Sequence, residues 1–212
     1  MNTFETMRRA LRTRKLKYLV SRGDDRARRV GEAVDALIGW ARADEAAGVR
    51  KDRVLFDFEA DFEEISDEIA RLSDAGENQA YRDIYAKLYD FAQEQMADSY
   101  MPLYLYILYR YANALLGAGE AEEAAQMFEK LCAGTDRLIG IRNSYGIHCM
   151  ERLAVAATRC GQIQTALNAL DEMQDIADDE DFGPNSAVSL AVERFSRRLR
   201  AEMFIKLTFQ LY

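Results

Sequence analysis

Apolar residues recur along this chain at steps of three and four, with glycine at the breaks. Leu55, Phe58, Phe62, Ile65, Ile69 and Leu72 form the cleanest run, and that spacing predicts one face of an α-helix. Phe4, Met7, Leu11, Tyr18 and Leu19 predict a first helix over about 3–20, stopped near Gly23. Asp24 or Asp25 caps the next, whose stripe is Val30, Val34, Leu37, Ile38 and Ala41 and which ends near 46. A fourth helix follows Gly76 and buries Tyr81, Ile84, Tyr85, Leu88, Phe91, Ala92 and Met96. Pro102 suits the first turn of a fifth, which is apolar nearly all round to Leu116 and should therefore be central. Three more helices are expected over about 121–138, 142–159 and from Gly161 to 177. After an acidic loop, Asn185 or Ser186 caps a last helix carrying Val188, Val192, Phe195, Leu199 and Met203. At the end, Ile205, Leu207, Phe209 and Leu211 alternate with polar residues as a strand would. Nothing breaks the helix after Ser186, so continued helix is the expectation.

The breaks themselves repeat. Gly119 and Gly161 lie 42 residues apart, and the stretches after them align: Ala124 with Ala166, Phe128 with Leu170, Leu131 with Met173. Before the glycines stand Leu108, Ala112 and Leu115 in one case and Met150, Leu153, Ala154 and Ala157 in the other. Small residues let helix axes approach closely and large ones fill the gaps between them. This pattern resembles the tetratricopeptide repeat (TPR) over about 101–178. A third unit over 53–97, pivoting on Gly76, departs from the pattern, with Ile69 and Tyr81 at the small positions. The spacing also exceeds that family's period of about 34 residues, which implies extra helical turns. The resemblance implies an all-α, right-handed superhelix of antiparallel hairpins with about nine helices. A basic helix pair over 1–46 would run on, in one continuous domain, into TPR-like repeats and a capping helix over 47–212.

Charge changes the picture at one end only. Residues 1–30 carry ten Lys/Arg against three acids, while the whole chain is at −8. A basic arm can serve nucleic acid or lipid headgroups. The simpler expectation is that it packs against the acidic body, so nucleic acid is not an expected partner. Three scattered cysteines, Cys132, Cys149 and Cys160, make no disulfide framework. No signal-like or membrane-spanning run appears, so no membrane partner and a cytoplasmic location are expected. The terminal residues from Met203 to Tyr212 are too apolar for a free end. They either fold back as a cap or pair with a second copy, and the exposed apolar surface favours the homodimer.

The resemblance also points to a groove lined by the first helix of each hairpin. In this sequence those positions are Glu63 and Ser66, then Tyr106, Tyr109 and Asn113, then His148, Glu151 and Val155. Tyrosine offers rigid contact area plus a hydroxyl, and asparagine can pair with a peptide backbone. The competing reading puts Tyr106 and Tyr109 inside the central helix. The family's clamp for C-terminal carboxylates is largely absent. One histidine and no Cys-x-x-Cys pair give no zinc set, and the run from Asp178 to Asp181 lacks the spacing of a calcium loop. Carboxylates along helix three, including Asp57 and Asp61, read as a solvated face. With no phosphate-binding loop and no nucleophile motif, no metal, cofactor or catalytic residue is expected. The sequence therefore points to a non-enzymatic protein- or peptide-binding scaffold. The alternative is a ligand- or peptide-sensing regulator that touches nucleic acid through its basic first helix.

Overall fold

The computed structural model describes residues 3–21, 25–98, 101–179 and 182–210. Among these the chain is all-α, with nine helices: α1 (Thr3–Ser21), α2 (Arg26–Ala46), α3 (Lys51–Asp74), α4 (Asn78–Gln95), α5 (Met101–Ala118), α6 (Ala121–Ile139), α7 (Ser144–Cys160), α8 (Ile163–Ala177) and α9 (Ala187–Gln210). The expected cap at Asp25 is present, its carboxylate accepting from the Arg28 N–H at 3.0 Å. Ser186 rather than Asn185 caps α9, its hydroxyl accepting from the Ser189 N–H at 3.0 Å. Residues 205–210 continue α9, so the strand-like alternation is carried on a helix. Gly23, Asp24, Asp181, Leu211 and Tyr212 lie outside the described residues, as do the side chains of Phe4 and Phe209.

Glycine ends α7 by geometry. Gly161 sits at φ +83°, in the left-handed region, which costs a residue without Cβ nothing. The Gln162 N–H then reaches back to the Ala157 carbonyl at 2.8 Å and satisfies an acceptor the helix would leave open.

The chain divides into two compact units, Met1–Ala118 and Gly119–Tyr212. The division falls at the Gly119 turn. α1 and α2 pack on α3, and α2 and α3 on α4, within the first unit. Its core includes Leu16, Val34, Leu37, Phe58, Ile65, Tyr85, Leu88 and Leu108, all 2% exposed or less. The Phe58 and Phe91 rings stack at 4.6 Å, and α4 lies along α5. In the second unit α6 packs on α7 and α7 on α8, with α9 against α8 and α7. Ala124, Ala154 and Ala166 are fully buried there beside Phe128 and Leu170, as close helix crossings require.

Candidate functional site

α5 is less uniformly buried than its composition suggests. Leu103, Ile107, Leu108, Ala112 and Leu115 face the core. Tyr106 is 43% exposed, and Tyr109, Arg110 and Asn113 are half-buried. Neither expected tyrosine is therefore a core residue. Tyr106 meets the Phe62 ring of α3 edge-on at 6.2 Å. Ser66 stands one turn beyond Phe62 and is partly covered, its hydroxyl donating to the Glu63 carbonyl at 3.0 Å, while Glu63 itself is exposed. The first unit thus holds five of the expected residues: Glu63, Ser66, Tyr106, Tyr109 and Asn113.

Asn113 does not present its whole amide outward. Its Nδ2 donates to the Tyr109 carbonyl on its own helix at 2.8 Å, which commits one of its two amide N–H donors. Side-chain bonds to the preceding turn are a standard alternative for asparagine.

The residue that the periodicity missed is Arg110, one turn beyond Tyr106. Its guanidinium carbon lies 5.9 Å from each of the Tyr81, Tyr85 and Tyr106 ring centroids, within cation–π range. Its Nε donates to the Tyr85 hydroxyl at 3.3 Å. Tyr81 and Tyr85 meet edge-on at 4.8 Å. Burial pushes both phenols above their ordinary pKa, which keeps them neutral and able to donate. The sequence signal was there, with Tyr81 and Tyr85 four apart on α4 and Tyr106 and Arg110 four apart on α5.

His148, Glu151 and Val155 belong to the second unit, on α7. His148 Nδ1 lies 3.6 Å from Glu151 Oε2, with both side chains well exposed. The Glu151 carboxylate raises the His148 pKa, and the imidazolium lowers that of Glu151. Glu151 also borders an open cleft of about 450 Å³ floored by Met173, Val192 and Phe195.

The basic arm is engaged within its own unit. Arg8 and Arg12 both donate to Asp44, at 2.7 and 2.8 Å. Arg12 and Lys15 lie over the Trp40 ring, and Lys17 reaches Glu64 at 3.0 Å. The solvated reading of helix three needs correcting here, because Asp57 is 8% exposed and Asp61 2%. Asp57 is held by Arg53 at 3.2 Å and stands 3.7 Å from Arg8. Among the described residues Asp61 has only Arg12 in ion-pair range, at 4.0 Å, and its Oδ1 has no hydrogen-bond partner. They are buried because α1 lies across them.

Burial raises the Asp61 pKa to about 6, with Arg12 opposing and Asp57 reinforcing the shift. A carboxyl whose folded pKa exceeds its unfolded value contributes least once ionised, so stability falls as pH climbs from near 4 through 6. At about 1.4 kcal/mol per pKa unit the cost is on the order of 1–3 kcal/mol. Asp61→Asn should therefore be more stable than the parent by that amount at pH 8 and nearly equal to it at pH 4. Urea melts at the two pH values measure the difference, and an equal gap at both contradicts the assignment.

Among the described residues no group of three or more His, Cys, Asp or Glu is arranged to hold a metal, and no helix is long and apolar enough to cross a membrane. In the apolar tail, Met203 is buried while Phe204, Ile205 and Leu207 are exposed.

No family model matches the sequence, and no curated protein matches it. Among solved structures it is similar to a Podospora anserina protein described as a kinesin light chain with nearly identical TPR-like repeats. The identity is 16%, the match covers 80% of this chain and 85% of that one, and the TM-score is 0.47.

Proposed function

We propose that this chain is a non-enzymatic binding module for a peptide or protein segment, received on the α5 face of the first unit. The observation that carries the reading is Tyr106, a large aromatic left 43% exposed on α5, with the Phe62 ring edge-on to it and the Arg110 guanidinium over its ring. Exposed aromatics and arginine on rigid helices are what binding hot spots are made of. Glu63, Ser66, Tyr109 and Asn113 form the surround. His148 and Glu151 are a separate candidate patch beside the α7–α9 cleft. The alternative of a regulator contacting nucleic acid through α1 has less support, because Arg8, Arg12 and Lys17 already face carboxylates of their own unit.

Selection from a pool of random dodecapeptides against the whole chain tests the proposal. Selected peptides should bind at least tenfold more weakly to Tyr106→Ala, since removing a hot-spot tyrosine commonly costs about 2 kcal/mol, and the melting midpoint should stay nearly unchanged. Peptides that bind the parent and Tyr106→Ala alike would place recognition elsewhere.

A further inference from the structure

We infer that the second unit holds a binding site for one soft monovalent cation, Cu(I), built from the sulfurs of Cys132, Cys149 and Met150, an inference independent of the α5 face. Cys132 and Thr135 lie one turn apart on α6, and Cys149 and Met150 are neighbours on α7. Packing of the two helices brings all four together. Cys132 Sγ stands 3.9 Å from Met150 Sδ, Cys149 Sγ stands 3.8 Å from the Thr135 hydroxyl oxygen, and the two thiols share a hydrogen bond. Cys132 thus has a single S–H for two sulfur neighbours, so one proton cannot serve the whole set at once. A cation can. Cys160 shows the ordinary behaviour of a thiol on the same helix, its Sγ donating to the Ala157 carbonyl at 3.4 Å.

The ligand set selects the metal. Two cysteines fall short of a closed zinc site, which takes four ligands from Cys, His and carboxylates. Thiolate and thioether sulfur together are the soft set that suits Cu(I). Three sulfurs in a plane around a cation, at the roughly 2.3 Å of a zinc–thiolate bond, lie about 4 Å apart. The Cys132–Met150 separation is already 3.9 Å. The site lies at the rim of the core, with Cys132, Cys149 and Met150 at 8%, 5% and 6% exposed, whereas Phe128 and Ala154 are sealed at 0%. Binding breaks two S–H bonds, forms two thiolate–copper bonds and one thioether–copper bond, and sends two protons to solvent. Copper stays Cu(I), so the step needs no oxidant or reductant. The filled site carries one net negative charge, and the Thr135 hydroxyl is placed to donate to the Cys149 sulfur.

Competition for Cu(I) itself, under anaerobic conditions with bicinchoninate as the coloured chelator, tests the site. The whole chain should withdraw one equivalent of Cu(I) from the chelator, and excess Zn(II) should not displace it. Changing an outer-shell partner commonly costs a metal site about 10–100-fold in affinity, so Cys132→Ser and Cys149→Ser, which remove ligands, should each lose about 100-fold or more. Met150→Leu, close in volume to the parent, should lose about tenfold, and Cys160→Ser should match the parent. In the parent chain labelled at its methionine methyl groups, the Met150 resonance should move with the first equivalent of Cu(I), a readout independent of any variant's folding. No withdrawal of copper overturns the site. Withdrawal that survives Cys132→Ser or Cys149→Ser, or that depends on Cys160, places copper elsewhere and overturns it too. A Met150→Leu protein that holds copper as tightly as the parent, with the Met150 resonance unmoved in the parent, overturns the three-sulfur set, and displacement by Zn(II) overturns the choice of a soft cation.

Discussion

Gly146→Ala lowers the stability of the second unit by about 3 kcal/mol or more, at the upper end of what overpacking costs. Gly146 lies in the first turn of α7, where the chain has just come round from α6. Asn143 fixes that turn: its Oδ1 accepts from the Tyr145 and Gly146 N–H groups at 2.8 and 3.1 Å, and its Nδ2 donates to the Gly140 carbonyl at 2.7 Å. The fold brings the Ile141 carbonyl over Gly146 so closely that a Cβ would sit 1.7 Å from its oxygen and 2.8 Å from its carbon. Both atoms are backbone, so no side-chain rotation relieves the clash, and the turn or the helix start must move. Gly39 provides the control. It lies inside α2 with nothing within 4 Å of its Cβ position, so Gly39→Ala should stabilise by about 0.5–1 kcal/mol through helix propensity and the lost freedom of the unfolded chain. Denaturant melts of the two variants should move in opposite directions. A Gly146→Ala protein that melts like its parent contradicts the described α6–α7 turn.

Asp44→Ala should cost nearly as much, about 2–4 kcal/mol, somewhat under the range for breaking a buried ion pair because water still reaches Arg8. Asp44 is 7% exposed and accepts from both Arg8 and Arg12. Without it the two guanidiniums are left with Asp57 at 3.7 Å and Asp61 at 4.0 Å. The loss should be felt first in α1, whose hold on α2 and α3 includes these bonds beside the buried Leu16. Hydrogen exchange over residues 6–20 should accelerate more than exchange over α4. Unchanged exchange in α1, with an unchanged melting midpoint, would mean that the ion cluster adds nothing to its docking.

These two sites also mark how far the sequence could be read. Helices were legible because their signals are local. The steps of three and four among Leu55, Phe58, Phe62 and Ile65 lie within one element, and the glycines after α3, α5 and α7 stop helices by backbone geometry alone. The tail was legible for the same reason, since no breaker follows Ser186. Tyr106, Tyr109 and Asn113 could be placed together on α5 because three- and four-residue spacing defines a face. Partnership across elements was not legible. Asp57 and Asp61 look like any solvated carboxylates until α1, more than forty residues earlier in the chain, is laid over them. Arg110 reads as a lone charged residue in an apolar helix until α4 brings Tyr81 and Tyr85 beside it. The close approach at Gly146 depends on how one turn is wound, and composition carries no trace of that.

The central claim, that peptides are received on the α5 face, is tested most directly by site-specific photocrosslinking. A benzophenone side chain replaces Tyr106 in one protein and Tyr145, which is 69% exposed in the second unit, in another. Each is irradiated with a peptide selected on the parent chain. The account predicts an adduct at position 106, suppressed by excess unlabelled peptide, and none at position 145. A bound peptide that crosslinks at 145 and leaves 106 unmodified would contradict it.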